Sequence, residues 1–276
     1  MKVVKTLKIY DIVLEIVLFV FIASLALPII WLILMSLKNQ LDALAIPPKI
    51  IFVPILRNFQ EVVSSPGIIR SLGNSLIVGL SSLFVSLFVG IPAAYGLSRY
   101  SFRFQKPLSM WILISRMAPP VGMLIPFYLM FRRLGMIDTY PALILAHIGA
   151  NLPIITWMLM GFFHDIPREL EEASYIDGCT PIGAFLKITL PICKNGILAV
   201  GIMGFLFSWN ELMFATTISG SYTKTAPAAI SNFLLYQEVK WGPLTAAAVL
   251  VIFPALAFIG FAQKHLVKGL TFGVLK

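Results

Sequence analysis

The sequence at residues 169–191 is ELEEASYIDGCTPIGAFLKITLP, and it separates two apolar segments long enough to cross a membrane. The stretch begins with acidic residues and is interrupted at Asp177-Gly178. Charged side chains are costly in lipid, so an insertion of this kind is expected to lie in water or against a partner. The partner that binds this stretch should therefore determine the function of the protein.

The apolar side chains in the first part of this stretch have helical spacing. Leu170, Ala173 and Ile176 would form one stripe along a short helix. Gly178 can adopt the left-handed backbone conformation that ends a helix. A second short helix is expected to begin near Thr180. The pattern predicts a polar helix-turn-helix between the two apolar segments.

The rest of the chain has the composition of a membrane protein. Hydrophobic residues make up 59% and charged residues 12% of the sequence, whereas soluble domains are roughly 25% charged. A helix needs about 20 mostly apolar residues to span a bilayer. This rule predicts an all-α polytopic membrane protein, with residues 1–276 as one transmembrane domain. The six predicted spans are residues 11–36, 72–97, 108–131, 140–163, 196–218 and 243–263.

The positions of the basic residues predict the orientation of these spans. With both termini inside, twelve of the 21 Lys and Arg lie in inner segments and eight in outer ones. The short segment 98–107 has three basic residues and no acid, as expected for a cytoplasmic loop. The net charge of +9 is spread over the connections, which argues against a nucleic-acid-binding face. Residues 164–195 are therefore predicted to lie in the cytoplasm, and membrane lipid surrounds the spans.

The first apolar run follows three lysines and resembles a signal peptide at its start. Cleaved signal peptides have an apolar region of only about 7–15 residues, and this run continues as far as Leu37. The sequence therefore predicts an uncleaved first span.

The helix-turn-helix has two interpretations. It could lie on the lipid surface as an amphipathic pair, or it could bind a protein. Lipid-surface helices usually carry Lys and Arg on their polar face, whereas residues 165–177 hold five acidic residues and only Arg168 as a base. An acidic face repels anionic headgroups and favours a basic protein partner.

The same stretch resembles a known family motif. Glu172-Ala173-Ser174, followed by Asp177-Gly178, Phe185 and Leu190-Pro191, resembles the EAA motif in the membrane-spanning subunits of bacterial ABC importers. The sequence departs from the motif at Ser174, where the motif has Ala, and this is a small change. By resemblance, residues 164–195 are the coupling loop, which sits in a cleft of a cytoplasmic ATPase subunit.

Further stretches narrow the resemblance to the carbohydrate-importer permeases, with a type I importer transmembrane domain. It runs from about residue 10 to the C-terminus and is closest to the shorter, maltose-type second permease. The stretches that carry it are Asn74-Ser75-Leu76, Ile125-Pro126, residues 134–139, Leu152-Pro153, Ser208-Trp209-Asn210-Glu211 and the tail 263–273.

The resemblance implies a complex in which this chain is a non-catalytic subunit. Its partners would be a sister permease, two cytoplasmic ATPase subunits and an extracytoplasmic solute-binding protein, in a bacterial or archaeal cytoplasmic membrane. The sequence lacks the Gly-x-x-x-x-Gly-Lys-Ser/Thr motif that cradles phosphates. ATP and magnesium would therefore be bound by the ATPase subunits, and this chain would hold no cofactor or metal. The solute would be a sugar, a polyol or a sugar phosphate.

The resemblance also assigns residues of the coupling loop to the ATPase contact. Glu172 would make a charged contact, and Gly178 would shape the turn. For Asp177, a local helix cap and a contact with the partner are both open. The residues assigned to ATPase coupling are Glu172, Ala173, Ser174, Asp177, Gly178, Phe185 and Pro191.

Polar residues inside the predicted spans are candidates for the translocation pathway, because such residues normally face a bundle interior or water. The alternative is a hydrogen bond between helices, which we favour for His147 and Arg116. Pro119-Pro120 is expected to break the third span. By resemblance, the sister subunit could make most of the solute contacts. The candidate pathway residues are Asn151, Trp209, Asn210 and Glu211.

The remaining segments leave alternatives open. By resemblance, residues 219–242 could reach into the binding protein, and otherwise they form a solvated connection. The tail from residue 263 could, again by resemblance, rest on the ATPase. Cys179 and Cys193 have no metal-ligand spacing and are expected to be reduced thiols.

Two other classes of membrane protein are alternatives to the importer. A secondary transporter or channel subunit that is not coupled to an ATPase is the alternative function. Secondary transporters usually show inverted repeats, and the two halves of this sequence have no convincing match. An intramembrane enzyme would need metal ligands or a nucleophile with its base, and the three histidines have no such spacing. Neither class accounts for an acidic helix-turn-helix on the inner side.

Overall fold

The computed structural model describes residues 2–117, 119–234 and 239–271, and within these ranges the secondary structure is helical apart from one isolated bridge. A π-helical segment at Phe185–Thr189 and a 3-10 turn at Ser231–Phe233 interrupt the α-helices. The α-helices in chain order are α1 (Lys2–Ser36), α2 (Gln40–Ala43), α3 (Arg57–Ser64), α4 (Pro66–Arg99), α5 (Gln105–Met117), α6 (Pro120–Arg133), α7 (Tyr140–His164), α8 (Glu169–Ile176), α9 (Pro181–Ala184), α10 (Leu190–Ile192), α11 (Lys194–Trp209), α12 (Met213–Ile218), α13 (Ala226–Ile230) and α14 (Trp241–Thr271).

Four of these helices are individually long and apolar enough to cross a membrane. They are α1, α4, α7 and α14, and each contains one predicted span. In the described part of the chain, up to six spans result if each of two bent helix pairs counts as one. The pairs are α5 with α6, and the segment Pro181–Ile192 with α11. The prediction of an all-α membrane protein is confirmed.

The third predicted span, residues 108–131, is broken where the sequence predicted a break. α5 ends at Met117, and α6 begins at Pro120 after an extended Pro119 with ψ of 130°. Proline has no backbone N–H to donate, and its ring keeps the preceding residue out of the helical conformation. The interruption therefore follows from the two adjacent prolines.

The fifth predicted span, residues 196–218, is not one helix, and here the prediction was wrong. α11 ends at Trp209 and α12 begins at Met213. The Glu211 carboxylate accepts hydrogen bonds from the backbone N–H groups of Phe214 (2.8 Å) and Ala215 (3.1 Å). A side chain that satisfies backbone groups in this way competes with the helical hydrogen bonds and allows the helix to stop.

The described residues form two compact units, and the first comprises residues up to 68 together with 230–252. Its centre is the end of α1, where Asn58 Nδ2 donates to the carbonyl oxygens of Ser36 and Lys38, both at 2.8 Å. The Lys38 side chain is buried, with Nζ 4.8 Å from the ring centroid of Trp31. These contacts fix the chain as it leaves the first span.

The second unit comprises residues 69–229 and the chain from 253 onward. α7 lies at its centre and packs against α5, α6, α11 and α12. Gly196 at the start of α11 lies so close to α7 that an added Cβ would be 2.7 Å from the Phe162 ring. Small residues allow such close contact between membrane helices. One buried cluster consists of Ala94, Tyr95, Ile155, Leu159, Phe163, Ile166, Cys193 and Val200.

Candidate functional site

The coupling loop folds as two short helices joined by a left-handed turn. Gly178 has a φ of +83°, and the N–H of Cys179 donates to the carbonyl oxygen of Ser174 at 2.9 Å. Thr180 Oγ1 accepts a hydrogen bond from the N–H of Gly183 at 3.1 Å and so caps α9. The predicted helix-turn-helix and the left-handed Gly178 are both confirmed.

One side of α8 is left exposed together with the start of α9. Ile176 is 89% exposed, and Ile182, which follows the turn, is 71% exposed. The predicted apolar stripe of α8 is therefore presented outward, beside carboxylates that are also exposed. We call this surface the α8–α9 face, and its residues are Glu172, Ala173, Ile176, Asp177 and Ile182.

The other side of α8 is buried against the chain. Glu171 and Ser174 are three residues apart and therefore share a helix face, and both are only 5% exposed. The Ser174 hydroxyl donates to the backbone carbonyl of Glu171 at 2.7 Å. Among the residues assigned to ATPase coupling, Ser174 thus points inward, whereas Glu172, Ala173, Asp177 and Gly178 are exposed. Their roles in coupling stay predictions.

The buried Glu171 carboxylate holds three segments of the chain together. Its Oε1 accepts from Arg99 Nε at 3.0 Å and from Thr189 Oγ1 at 2.5 Å. Its Oε2 accepts from the Tyr95 hydroxyl at 3.2 Å. Tyr95 and Arg99 belong to the end of α4, and Thr189 to the π-helical segment. We call these four residues the Glu171 cluster.

Arg99 makes a further contact that extends this cluster. The Arg99 Nη2 donates to the backbone carbonyl oxygen of Ile166 at 2.9 Å. Ile166 lies in the connection between α7 and α8. The side chains of Arg99 and Glu171 are only 6% and 7% exposed. Removing one partner of a buried ion pair costs about 3–5 kcal/mol, because the other charge is left without compensation. The pair therefore fixes α8 strongly to the end of α4.

The role of Glu171 was missed from the sequence, because Glu171 is one of the five acidic residues between 165 and 177 that were taken together as an acidic face. Its spacing from Ser174 places both on one face, and this was the available signal. The identity of its partner could not be read from the sequence, since Arg99 looks like any basic residue that ends a membrane span. Only the folded chain brings the two together.

Phe185 belongs to an aromatic cluster next to the Glu171 cluster. Its ring centroid lies 4.4 Å from that of Tyr95 and 6.4 Å from that of Phe163. Pro191 lies in α10, which directly precedes α11. Cys193 is buried in the same region. This part of the coupling loop is packed tightly and leads into α11.

Two of the predicted pathway residues lie in the interior of this chain. The Asn151 side chain is buried, and its Nδ2 donates to the carbonyl oxygen of Gly204 at 3.4 Å. Trp209 is also buried, and its ring lies 5.5 Å from that of Phe205. Asn151 thus makes the interhelical hydrogen bond that the sequence left open as an alternative, whereas the Trp209 ring contacts a residue of its own helix. The pathway role of both residues stays a prediction.

The other two pathway candidates lie where α11 is interrupted. Asn210 is exposed, and its Nδ2 donates to the carbonyl oxygen of Leu206. Glu211 is half-buried, with Oε2 3.5 Å from His147 Nε2. His147 Nδ1 shares a hydrogen bond of 2.5 Å with the Ser208 hydroxyl. The break between α11 and α12 thus leaves Asn210 exposed. The His147 side chain of α7 lies between Ser208 and Glu211.

Arg116 makes the kind of interhelical contact that the sequence favoured for it. Its Nη1 donates to the carbonyl oxygen of Ala150 in α7 at 3.3 Å. Its guanidinium also lies over the Phe207 ring, 5.3 Å from the centroid. Arg116 therefore links α5 to α7 and α11.

The first part of the loop 219–242 is fixed to the second unit by Asp138. This carboxylate accepts from the N–H of Gly220 (2.8 Å), the N–H of Thr223 (2.9 Å) and the Thr223 hydroxyl (2.8 Å). Burial alone would raise the pKa of Asp138, but its hydrogen bonds hold that pKa below the usual value. Residues 235–238 of this loop lie outside the described residues.

Of the predicted C-terminal tail, residues 263–271 continue α14. Phe272 and Gly273 lie outside the described residues. The expectation that the tail rests on an ATPase stays a prediction.

Comparison with known proteins reveals a family that spans most of the chain. Residues 86–272 match the family described as binding-protein-dependent transport system inner membrane component. The sulfoquinovosyl glycerol transport system permease protein SmoH of Agrobacterium fabrum is 34% identical over 252 residues, covering 90% of this chain and 88% of its own length. The trehalose transport system permease protein SugB of Mycobacterium tuberculosis is 32% identical over 256 residues, covering 91% and 92%.

A further relative and a solved structure agree with this match. The trehalose/maltose transport system permease protein MalG of Thermococcus litoralis is 29% identical over 253 residues, covering 90% of this chain and 91% of its own length. The crystal structure of a bacterial ABC transporter involved in the import of the acidic polysaccharide alginate has a chain with a similar fold. The TM-score is 0.77 at 20% identity, with 93% of this chain and 96% of that chain covered.

Proposed function

Because this chain belongs to the inner membrane components of binding-protein-dependent transport systems, we propose that it imports a sugar, a polyol or a sugar phosphate. It is a non-catalytic permease subunit of an ATP-driven importer. Support for the class of solute comes from the relatives, whose names specify trehalose, maltose and sulfoquinovosyl glycerol. Each of these solutes contains a sugar unit.

The α8–α9 face is proposed to bind a cytoplasmic ATPase subunit. The observation that carries this proposal is the exposure of Ile176 and Ile182 beside the carboxylates of Glu172 and Asp177. Apolar anchors that become buried supply most of the affinity of a protein interface, and surrounding charges give it specificity. The face therefore suits a cleft with an apolar floor and a basic rim.

The charges around this face make a lipid surface a poorer occupant. An interfacial helix would be expected to carry lysine or arginine around its apolar stripe. Here Glu172 and Asp177 flank Ile176, and Arg168 is the only basic residue between 165 and 177. The expected orientation therefore has the coupling loop and both termini in the cytoplasm, with the α8–α9 face in the ATPase.

The proposed complex contains this chain, a sister permease, two ATPase subunits and an extracytoplasmic binding protein. ATP and magnesium would be held by the ATPase subunits. ATP can drive the permeases only if it binds one arrangement of the ATPase pair better than the other. Closure of that pair would then move the α8–α9 faces of the two permeases together.

The solute is proposed to pass between the two permeases, close to the break between α11 and α12. Asn210 is exposed at this break and offers both a donor and an acceptor to a sugar hydroxyl. Glu211 is engaged in capping α12 and would mainly keep the break in place. Of the predicted pathway residues, Asn210 is thus the one that is free to contact solute without repacking.

Co-purification with an ATPase tests this function. An affinity-tagged chain, expressed with the products of neighbouring genes, should retain two ATPase subunits per pair of permeases. Ile176→Lys places a charge at the proposed interface and should weaken ATPase retention by about tenfold or more. Ile51→Lys is the matched control, because Ile51 is an equally exposed isoleucine outside the coupling loop.

Two results would contradict the proposal. One is uptake of sugar by proteoliposomes that contain this chain and its sister but no nucleotide-binding subunit, as the alternative of a secondary transporter or channel requires. The other is equal loss of ATPase in the Ile176 and Ile51 variants, because the α8–α9 face would then have no special role.

A further inference from the structure

We propose that Glu171 and Arg99 are positioning residues that transmit movement of the α8–α9 face directly to α4. This inference rests on the proposed ATPase contact. The chain order connects the coupling loop to α7, which precedes it, and through α10 to α11, which follows it. The Glu171 cluster adds a connection that the chain order does not provide, because it joins α8 to the end of α4.

The geometry of the cluster supports a rigid connection. One carboxylate oxygen of Glu171 accepts from both Arg99 Nε and Thr189 Oγ1, and the other accepts from the Tyr95 hydroxyl. Arg99 also donates to the carbonyl oxygen of Ile166, immediately before α8. Hydrogen bonds to ionised groups are shorter and stronger than those between neutral groups. Displacing α8 without α4 would break several of them at once.

The shortness of α8 makes this attachment necessary. A helix of eight residues is only marginally stable in isolation. Its outer side carries the exposed Ile176, so its folded position depends on its inner side. Glu171 and Ser174 are the buried residues of that side. The Glu171 cluster therefore holds the face in the orientation in which a partner would meet it.

Thr189 connects the route to α4 with the route to α11 at one carboxylate oxygen of Glu171. It lies in the π-helical segment Phe185–Thr189, which continues through α10 toward α11. Because Thr189 and Arg99 donate to the same Oε1 of Glu171, a pull on α8 acts on α4 and on the segment before α11 together. We therefore expect both helices to respond to a single ATPase movement.

The test compares variants of this cluster in the intact complex, reconstituted with the ATPase subunits, sister permease and binding protein. Glu171→Gln keeps the side-chain volume but removes the charge that Arg99 requires. Thr189→Val removes one hydroxyl and leaves the Glu171–Arg99 pair intact. Ser98→Ala is the matched control, because that hydroxyl donates to the Ala94 and Tyr95 carbonyls of its own helix.

The decisive readout is the number of solute molecules transported per ATP hydrolysed, measured with the amount of assembled complex. For Glu171→Gln we expect an approximately tenfold fall in this ratio while ATPase retention is unchanged. A several-fold fall is expected for Thr189→Val, and no change for Ser98→Ala. A purely stabilising cluster would instead lower the amount of complex and leave the ratio per complex unchanged.

The outcomes separate this inference from the function on which it rests. If Glu171→Gln and Thr189→Val keep the wild-type ratio, the inference is wrong even though the importer assignment holds. If the Glu171 variant does not assemble, Tyr95→Phe decides, because it removes a hydrogen bond from α4 to Glu171 and keeps the ion pair with Arg99. If the wild-type chain retains no ATPase, the proposed function fails before the cluster is tested.

Discussion

Gly178 is the residue at which a single added methyl group should reveal the importance of the turn. Its φ is +83°, and an added Cβ would meet no atom within 4 Å, so a substitution there is strained but not crowded. Gly178→Ala should therefore cost about 1–2 kcal/mol, the usual penalty of the left-handed conformation. Thermal unfolding of the purified complex and its transport rate measure the effect.

Gly161→Ala is the control for this variant. Gly161 lies within α7, where an added Cβ also meets nothing within 4 Å. Alanine is preferred over glycine in a helix by about 0.5–1 kcal/mol, so this variant should be neutral or stabilising. Equal behaviour of the two variants would show that the Gly178 turn is not held in its left-handed form.

Asp138 should give the first part of the loop 219–242 a pH-dependent stability. Hydrogen bonds from Thr223, Gly220 and Tyr222 lower the pKa of this carboxyl below its usual value. The stabilisation is therefore present above about pH 4 and is lost as the pH falls through the lowered pKa. Asp138→Asn should cost about 1–3 kcal/mol at neutral pH and remove this dependence, since it removes acceptor capacity.

Thermal unfolding between acidic and neutral pH measures the Asp138 effect. Glu61→Gln is the control, because Glu61 pairs with Lys240 in an exposed position, where an ion pair contributes little. An Asp138→Asn variant with the wild-type pH profile would contradict the anchoring role of this carboxylate.

The predictability of the site differs from one residue to the next. The left-handed Gly178 could be predicted, because a glycine after an apolar helical stripe has a clear local meaning. Ser174 belongs to the same motif, yet it lies on the buried side of α8. The partners of Glu171 come from α4 and the π-helical segment, and no local pattern of a single sequence specifies such a distant pairing.

At the scale of elements, one of the two span interruptions could be predicted from the local sequence and the other could not. The break at Pro119 follows from the missing N–H of proline and could be predicted. The break between α11 and α12 depends on the Glu211 carboxylate, which accepts from two backbone N–H groups. A single glutamate in an apolar run gives no comparable signal, because its side chain could also have faced another helix.

The contact between α11 and α7 makes a testable prediction at the same scale. A Cβ at Gly196 would lie 2.7 Å from two ring atoms of Phe162, so Gly196→Ala requires the ring or the helix to move. Overpacking of this kind costs about 1–3 kcal/mol. We expect a lower unfolding temperature and a smaller monodisperse fraction in detergent.

Gly96→Ala is the matched substitution, because a Cβ at Gly96 in α4 meets no atom within 4 Å. It should leave both measurements unchanged or slightly improved. If Gly196→Ala is as stable as Gly96→Ala, α11 does not approach α7 as closely as described.

At the scale of the whole molecule, composition and hydropathy were sufficient for the class of protein, and the predicted six spans agree with the described residues if each bent helix pair is counted as one span. They could not identify which apolar surfaces face lipid and which face protein, because lipid tails are as apolar as leucine side chains. α1 shows this limit, since none of its most apolar stretch within Ile12–Ser36 is buried in this chain. Either lipid or a sister permease could cover such an apolar surface, and the composition of α1 would be the same in both cases.

Cysteine labelling measures whether an ATPase subunit covers the α8–α9 face. A Cys179→Ser background with Ile176→Cys leaves one exposed thiol on this face and the buried Cys193 as an internal control. In inside-out vesicles, an impermeant maleimide should label position 176 rapidly without ATPase subunits and at least about tenfold more slowly with them. Equal labelling rates with and without the ATPase subunits would contradict the account.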